Sequence, residues 1–241
     1  VRFYMFNIFR KPQPQFPSKL EFYTYNNWKF IKRTPVKSAG KTFFLHSMHD
    51  EKDTMTNGIT IITDKHYNPI GTHDYLMSNM PSLLDGYEMD VIKKKQNMGL
   101  GELLRLASII EMKENGIEKI VMESVPSAMP FHIKYKLAPN ITEPKDLLKA
   151  LKKISSSTHS VGTFPKEAKN ILDDIAKNGF SLKYFKEVNS LIAKYIRGNA
   201  GRWAETKINM QMPMCLTKSD VKKYASFYNK LFKKHEIDYR I

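Results

Sequence analysis

Apolar positions between Thr42 and Ile92 come in short runs broken by polar turns. Thr42 to Met48 is apolar and aromatic, Gly58 to Thr63 is β-branched, Ile70 to Met77 returns after the turn Asp64-Lys65-His66-Tyr67-Asn68-Pro69, and Leu83 to Ile92 is extended. Four such runs predict an antiparallel meander. The period then lengthens. Leu100, Leu103, Leu104, Leu106, Ala107, Ile109, Ile110 and Met112 make Gly99 to Glu114 a helix too apolar for a surface, stopped by Asn115-Gly116. Ile117 to Glu123 reads as a buried strand, so the region is a strand–helix–strand unit with a right-handed crossover. A second helix follows near Ser127 and runs through Leu137.

Three helical segments come next: Pro144 to Ser155 after Thr142, Pro165 to Lys177 after Thr163, and Leu182 to Arg197 after Ser181, the last two closed by Asn178-Gly179 and Gly198. Ser155 to Ser160 is expected to be a flexible connection among them. Ile208, Met210, Met212, Met214 and Leu216 alternate with polar or small residues, which predicts a strand. A closing helix from Ser219 to His235 carries Val221, Tyr224, Ala225, Tyr228, Leu231 and Phe232 at helical spacing.

The chemistry concentrates in Gln96-Asn97-Met98-Gly99-Leu100-Gly101-Glu102, between a strand and a helix start. Such a turn offers unpaired backbone N–H groups at the positive end of a helix dipole, and glycine lets an anion approach the backbone. Phosphate or pyrophosphate is the natural guest.

This stretch resembles the GNAT superfamily of acyl-CoA-dependent N-acyltransferases. Its Gln/Arg-x-x-Gly-x-Gly/Ala signature is met by Gln96, Gly99 and Gly101, with Val91 five residues before the Gln. The later Ala-x-x-Phe-Tyr-x-Lys-x-Gly-Phe segment is echoed in Ala128-Met129-Pro130-Phe131-His132-Ile133-Lys134-Tyr135-Lys136-Leu137. The match covers about residues 59 to 137. It departs from the family at His132, where a tyrosine often serves as acid, at Lys136-Leu137 in place of Gly-Phe, and at Val125 in place of an asparagine.

The resemblance implies an α/β (α+β) fold: a GNAT-like central mixed sheet with a largely helical C-terminal insertion or extension. It divides the chain into a basic aromatic N-terminal segment (1–45), an acyl-CoA-binding core (42–137), a helical insertion (138–204) and a final strand and helix completing the core (205–241). The alternative is a separate C-terminal helical domain. The two early helices common in the family have no room between Asp50 and Asn57, so the segment 144–200 is expected to cap the acceptor side. The implied activity is acetyl transfer from acetyl-CoA to an amine by direct attack, without an acyl-enzyme. Pantetheine would lie against the backbone of Met89, Asp90 and Val91, beside Gln96. The pyrophosphate would lie on the N–H groups of Asn97, Met98, Gly99, Leu100, Gly101 and Glu102. Glu123 is the expected base, as in several N-acetyltransferases of the family, and Asp85 the second choice. His132 would protonate the leaving thiolate, with Tyr135 in reserve.

Charge adds partners to the picture. The net charge is +15, unevenly spread. Residues 1–45 hold nine Lys/Arg against Glu21 alone, whereas residues 46–90 hold two Lys against eight acids. An acidic segment beside the site would attract a cationic amine acceptor, although acids also populate hairpin turns. Lys93-Lys94-Lys95 could draw in CoA phosphates or simply be solvated. Residues 19–33 mix bases with aromatics, which suits single-stranded nucleic acid but suits packing better. That leaves a second class of function, a GNAT-fold protein that binds RNA or a protein partner and keeps CoA as a structural ligand or has lost it. His46 and His49, three apart on a strand, face opposite sides and do not chelate one metal; no zinc spacing is present. No apolar run approaches a membrane span, and a single cysteine, Cys215, favours a reducing, cytoplasmic setting.

Overall fold

β-branched and aromatic residues at alternate positions build the sheet, and one apolar helix covers the face that becomes its core. The protein is described from a computed structural model over residues 28–52, 54–158, 160–200 and 210–241. Strands β1 (Lys29–Ser38), β2 (Lys41–Lys52), β3 (Met55–Thr63), β4 (Pro69–Asn79) and β5 (Ser82–Val91) form an antiparallel meander. Helix α1 (Leu100–Glu114) crosses to β6 (Lys119–Ser124), which lies parallel to β5. Helix α2 (Met129–Lys134) leads to the two-residue strand β7 (Ala138–Pro139). Helices α3 (Pro144–Ser155), α4 (Phe164–Asn178) and α5 (Lys183–Gly198) follow. Strand β8 (Met212–Thr217) then enters between β6 and β7, antiparallel to both. The sheet order among the described residues is β1-β2-β3-β4-β5-β6-β8-β7. The chain is therefore mixed α/β, built on one large mixed sheet.

Helix α1 packs its leucines and isoleucines on Val36, Phe43, Leu45, Ile62, Ile70 and Leu84 of the sheet. Its buried face also carries polar groups, which the sheet answers: Ser108 with His73 at 3.0 Å and Glu111 with His49 at 3.1 Å. Helices α3 to α5 bury one apolar stripe each, and α5 packs against α2 and β7.

Several expectations change. The meander has five strands, because β1 begins at Lys29 inside the stretch read as a basic aromatic segment; residues 19 to 27 of that stretch, the remainder of residues 1–27 and Ile208 lie outside the described residues. Asp50 to Asn57 pairs across a hairpin, with Lys52 opposite Met55, which leaves no room there for the two early helices, as expected. The closing helix is two helices, α6 (Lys218–Lys223) and α7 (Ala225–Lys234), split at Tyr224. Thr217 caps α6 with Asp220 in a reciprocal capping box. Helices α3 to α5 line neither cleft described below.

Candidate active site

Parallel pairing of β5 with β6 lasts only from Leu83/Lys119 to Gly86/Met122. Beyond it β5 stays with β4 and β6 stays with β8, so the two strands part. A bulge begins the divergence: Asp74 faces Glu88 and Tyr75 faces Gly86, which leaves Tyr87 as the extra residue. The gap is a cleft of about 460 Å³, lined by β5 from Gly86 to Val91 and by Met122, Glu123 and Ser124 of β6. The edge of β5 toward β6 lacks a strand partner here. Gln96 Nε2 donates to the Val91 carbonyl at 3.2 Å, so Val91 presents its backbone to the cleft. By the strand's alternation Met89 does the same.

The cleft continues into a second one of about 600 Å³ over the glycine turn. Val91, Gln96, Gly101 and Phe131 line both, so the two are one groove. Gly99 caps α1 with φ +76°, a left-handed conformation that disfavours other residues, and Ser38 Oγ holds the Met98 carbonyl at 2.5 Å. The first intrahelical bond runs from Leu103 N–H to the Gly99 carbonyl. Among the described residues none of the backbone N–H groups from Asn97 to Glu102 has a protein acceptor. Lys95, Lys134 and Lys234 stand around them. Six unclaimed N–H groups at a helix start, in a groove lined by three lysines, have the chemistry of an anion cradle.

Glu102 underlies the cradle. Tyr135 Oη donates to its Oε2, and Lys234 Nζ and His235 Nε2 reach its Oε1, each at 2.5 Å. Burial alone would raise this carboxyl; the hydrogen bonds from His235, Lys234 and Tyr135 outweigh it and hold it down at about 2. His235 is tied to β1 in turn, its Nδ1 lying 2.6 Å from the Lys37 carbonyl. Glu102 is thus a buried pin joining α1, the residue after α2 and the end of α7.

Of the expected catalytic groups, Glu123 lines the cleft and is exposed, not sealed at a buried strand end. His132 lines the cleft too and is buried. Burial first, and then the charge of Arg105, push it down to about 3. Its Nδ1 accepts from Arg105 Nη2 at 3.2 Å. The ring is thus held neutral, its Nδ1 turned to Arg105. The Tyr135 hydroxyl donates to Glu102, and burial with that carboxylate raises it well above its ordinary value. Asp85 lies in the paired stretch opposite Leu76 and Val121, off the cleft lining.

Three residues missed from sequence line the cleft: Glu88 beside the bulge, His73 and Arg105. Arg105 had a visible signal, a cation within the apolar run Leu103 to Ile110. Glu88 had none, because the bulge that places it comes from strand pairing. His46 bonds Thr63 on one face of β2 and His49 bonds Glu111 on the other. Cys215 sits on β8 opposite Val121, and burial raises its thiol. It lines neither cleft, so Cys215→Ala is expected to leave turnover within about twofold of the parent, measured by thiol release; a thiolate nucleophile would require complete loss.

No protein-family model matches the chain, and no curated protein does. Solved structures similar to it are GNAT acetyltransferases. They include Tetrahymena GCN5 (16% identity, TM-score 0.34, over 37% of this chain and 56% of that one). A GNAT family acetyltransferase from Elizabethkingia anophelis with acetyl-CoA bound gives 19%, 0.32, 35% and 56%. Mutant forms of the spermidine/spermine N-acetyltransferase SpeG from Vibrio cholerae give 12%, 0.33, 38% and 56%. The alignments span a little over half the length of these structures. Among the described residues no helix is long and apolar enough to cross a membrane, and no group of three metal-ligating side chains occurs.

Proposed function

We propose that the chain transfers an acyl group from coenzyme A to an amine. One observation carries this reading: a strand edge left open by the parting of β5 and β6 runs directly into six unclaimed N–H groups at the start of α1. An extended pantetheine can pair with the edge at Met89 and Val91 while its pyrophosphate lies in the cradle. The signature at Gln96, Gly99 and Gly101 supports the same placement.

The thioester then lies near the bulge, where the cleft is lined by Glu88, Asp90 and Glu123. These acids attract a cationic amine. Glu123 is the proposed base. The cationic amine first gives one proton to solvent, and the neutral nitrogen attacks the thioester carbonyl; the C–N bond forms and the C–S bond breaks. The thiolate leaves with the electron pair, the second amine proton passes to Glu123, and that proton, returned through water, makes the free thiol. Holding both reactants in one groove supplies the proximity term.

Native mass spectrometry with CoA and acetyl-CoA tests the first half: the expected result is a one-to-one adduct, and no adduct with either overturns the reading. An acceptor screen tests the second half. On an acceptor so found, Glu123→Gln is expected to lower kcat about 10²–10⁴-fold with CoA affinity unchanged. Parental kcat in that variant would remove Glu123 from the base position.

A further inference from the structure

The closed end of the cleft, where β5 meets β6, holds a charge that no anion answers among the described residues. Arg105 is fully buried on α1, one turn beyond Gly101. Its Nη2 lies 3.4 Å from Met122 Sδ and 3.2 Å from His132 Nδ1, a weak acceptor and a neutral ring. Its Nε and Nη1 have no hydrogen-bond partner among the described residues. Burial lowers this guanidinium to about 10, so it remains a cation at neutral pH. A buried cation without an anion is costly to maintain, and a guanidinium fork matches a carboxylate.

Its position limits what the anion can be. Gly86 lies at the same end, and a Cβ there would stand 3.0 Å from His73 Nε2 and 3.2 Å from Met122 Cε, so the missing side chain keeps this end open. The open part of the cleft carries the acids Glu88, Asp90 and Glu123, which suit the amine and repel an anion. An anion reaching Arg105 therefore arrives on the donor side, past the thioester. Given the acyl-CoA reading above, on which this step rests, we propose that the acyl group is a dicarboxylic acid held as a monothioester. Its free carboxylate pairs with Arg105 in place of the Met122 thioether.

The test is calorimetric titration of the full chain with CoA, acetyl-CoA, butyryl-CoA, malonyl-CoA and succinyl-CoA. Butyryl-CoA matches succinyl-CoA in carbon count but lacks the carboxylate. The expected result is that malonyl- or succinyl-CoA binds at least about tenfold more tightly than both acetyl- and butyryl-CoA. Arg105→Met should erase the preference while CoA still binds, and Arg105→Lys should keep part of it. Equal affinities for all five ligands overturn the carboxylate assignment and leave the acyl-CoA reading intact; no binding of any overturns both. The parent's preference alone decides the matter should a variant not fold.

Discussion

Glu102→Ala is expected to lower the melting temperature by roughly 10 °C, the largest stability effect of any substitution in the groove. The carboxylate is 4% exposed and receives Tyr135, Lys234 and His235 together. Removing it leaves the buried Tyr135 hydroxyl and His235 ring without their acceptor, at a cost of about 1–3 kcal/mol each, while the exposed Lys234 returns to water. Glu102→Gln should cost less, since its amide oxygen can still receive Lys234 and His235 and the Tyr135 hydroxyl can turn to accept. The pH dependence follows from the carboxyl standing at about 2 in the folded chain against an ordinary 4.5. A depressed carboxyl stabilises the fold above its unfolded value, and that contribution is lost as pH falls from about 4.5 toward 2. Its size is on the order of 3 kcal/mol. Thermal melts of parent and Glu102→Gln between pH 7 and 3 check this. Parallel curves for the two would show that Glu102 does not carry the acid sensitivity.

Gly101→Val is expected to weaken CoA binding at least about a hundredfold, near 2.7 kcal/mol, while the fold survives. Gly101 is helical, so the substitution meets no left-handed strain, unlike one at Gly99. A Cβ there would stand 3.3 Å from the Phe131 ring, which must yield by a few tenths of an ångström. Gly101 and Phe131 both line the place where the cleft between β5 and β6 joins the glycine turn. Branched carbons at that junction close the passage and cover the adjacent N–H groups. Circular dichroism and titration with CoA read the two effects separately. Parental affinity in a folded variant would place the ligand elsewhere.

Much of the scaffold was legible because it rests on local rules. Short apolar and β-branched runs between polar turns identified β2 to β5, period two identified β8, the all-apolar run identified α1 as a covered helix, and Gln96 with Gly99 and Gly101 marked the glycine turn. Capping and breaker residues set α3, α4 and α5 to within about two residues. Strand β1 was missed because its sequence, Lys-Phe-Ile-Lys-Arg-Thr-Pro-Val-Lys-Ser, follows the irregular alternation of an edge strand with one bulge. Strand β7 has two residues, too few for any period.

The chemistry was less legible, because protonation depends on neighbours far along the chain. His132 is set by burial beside Arg105, 27 residues earlier, which favours the neutral ring. The Tyr135 hydroxyl is set by Glu102, 33 residues earlier.

The sequence by itself determined where a phosphate-sized anion can sit, since glycines between a strand and a helix expose N–H groups whatever the rest of the chain does. Only the tertiary structure decided what lies at the two ends of the groove. The β5 bulge sets Glu88 on the open part of the cleft, and the crossover of α1 buries Arg105 at its closed end, because strand register and helix rotation are set by packing across the whole sheet rather than by any local run of residues.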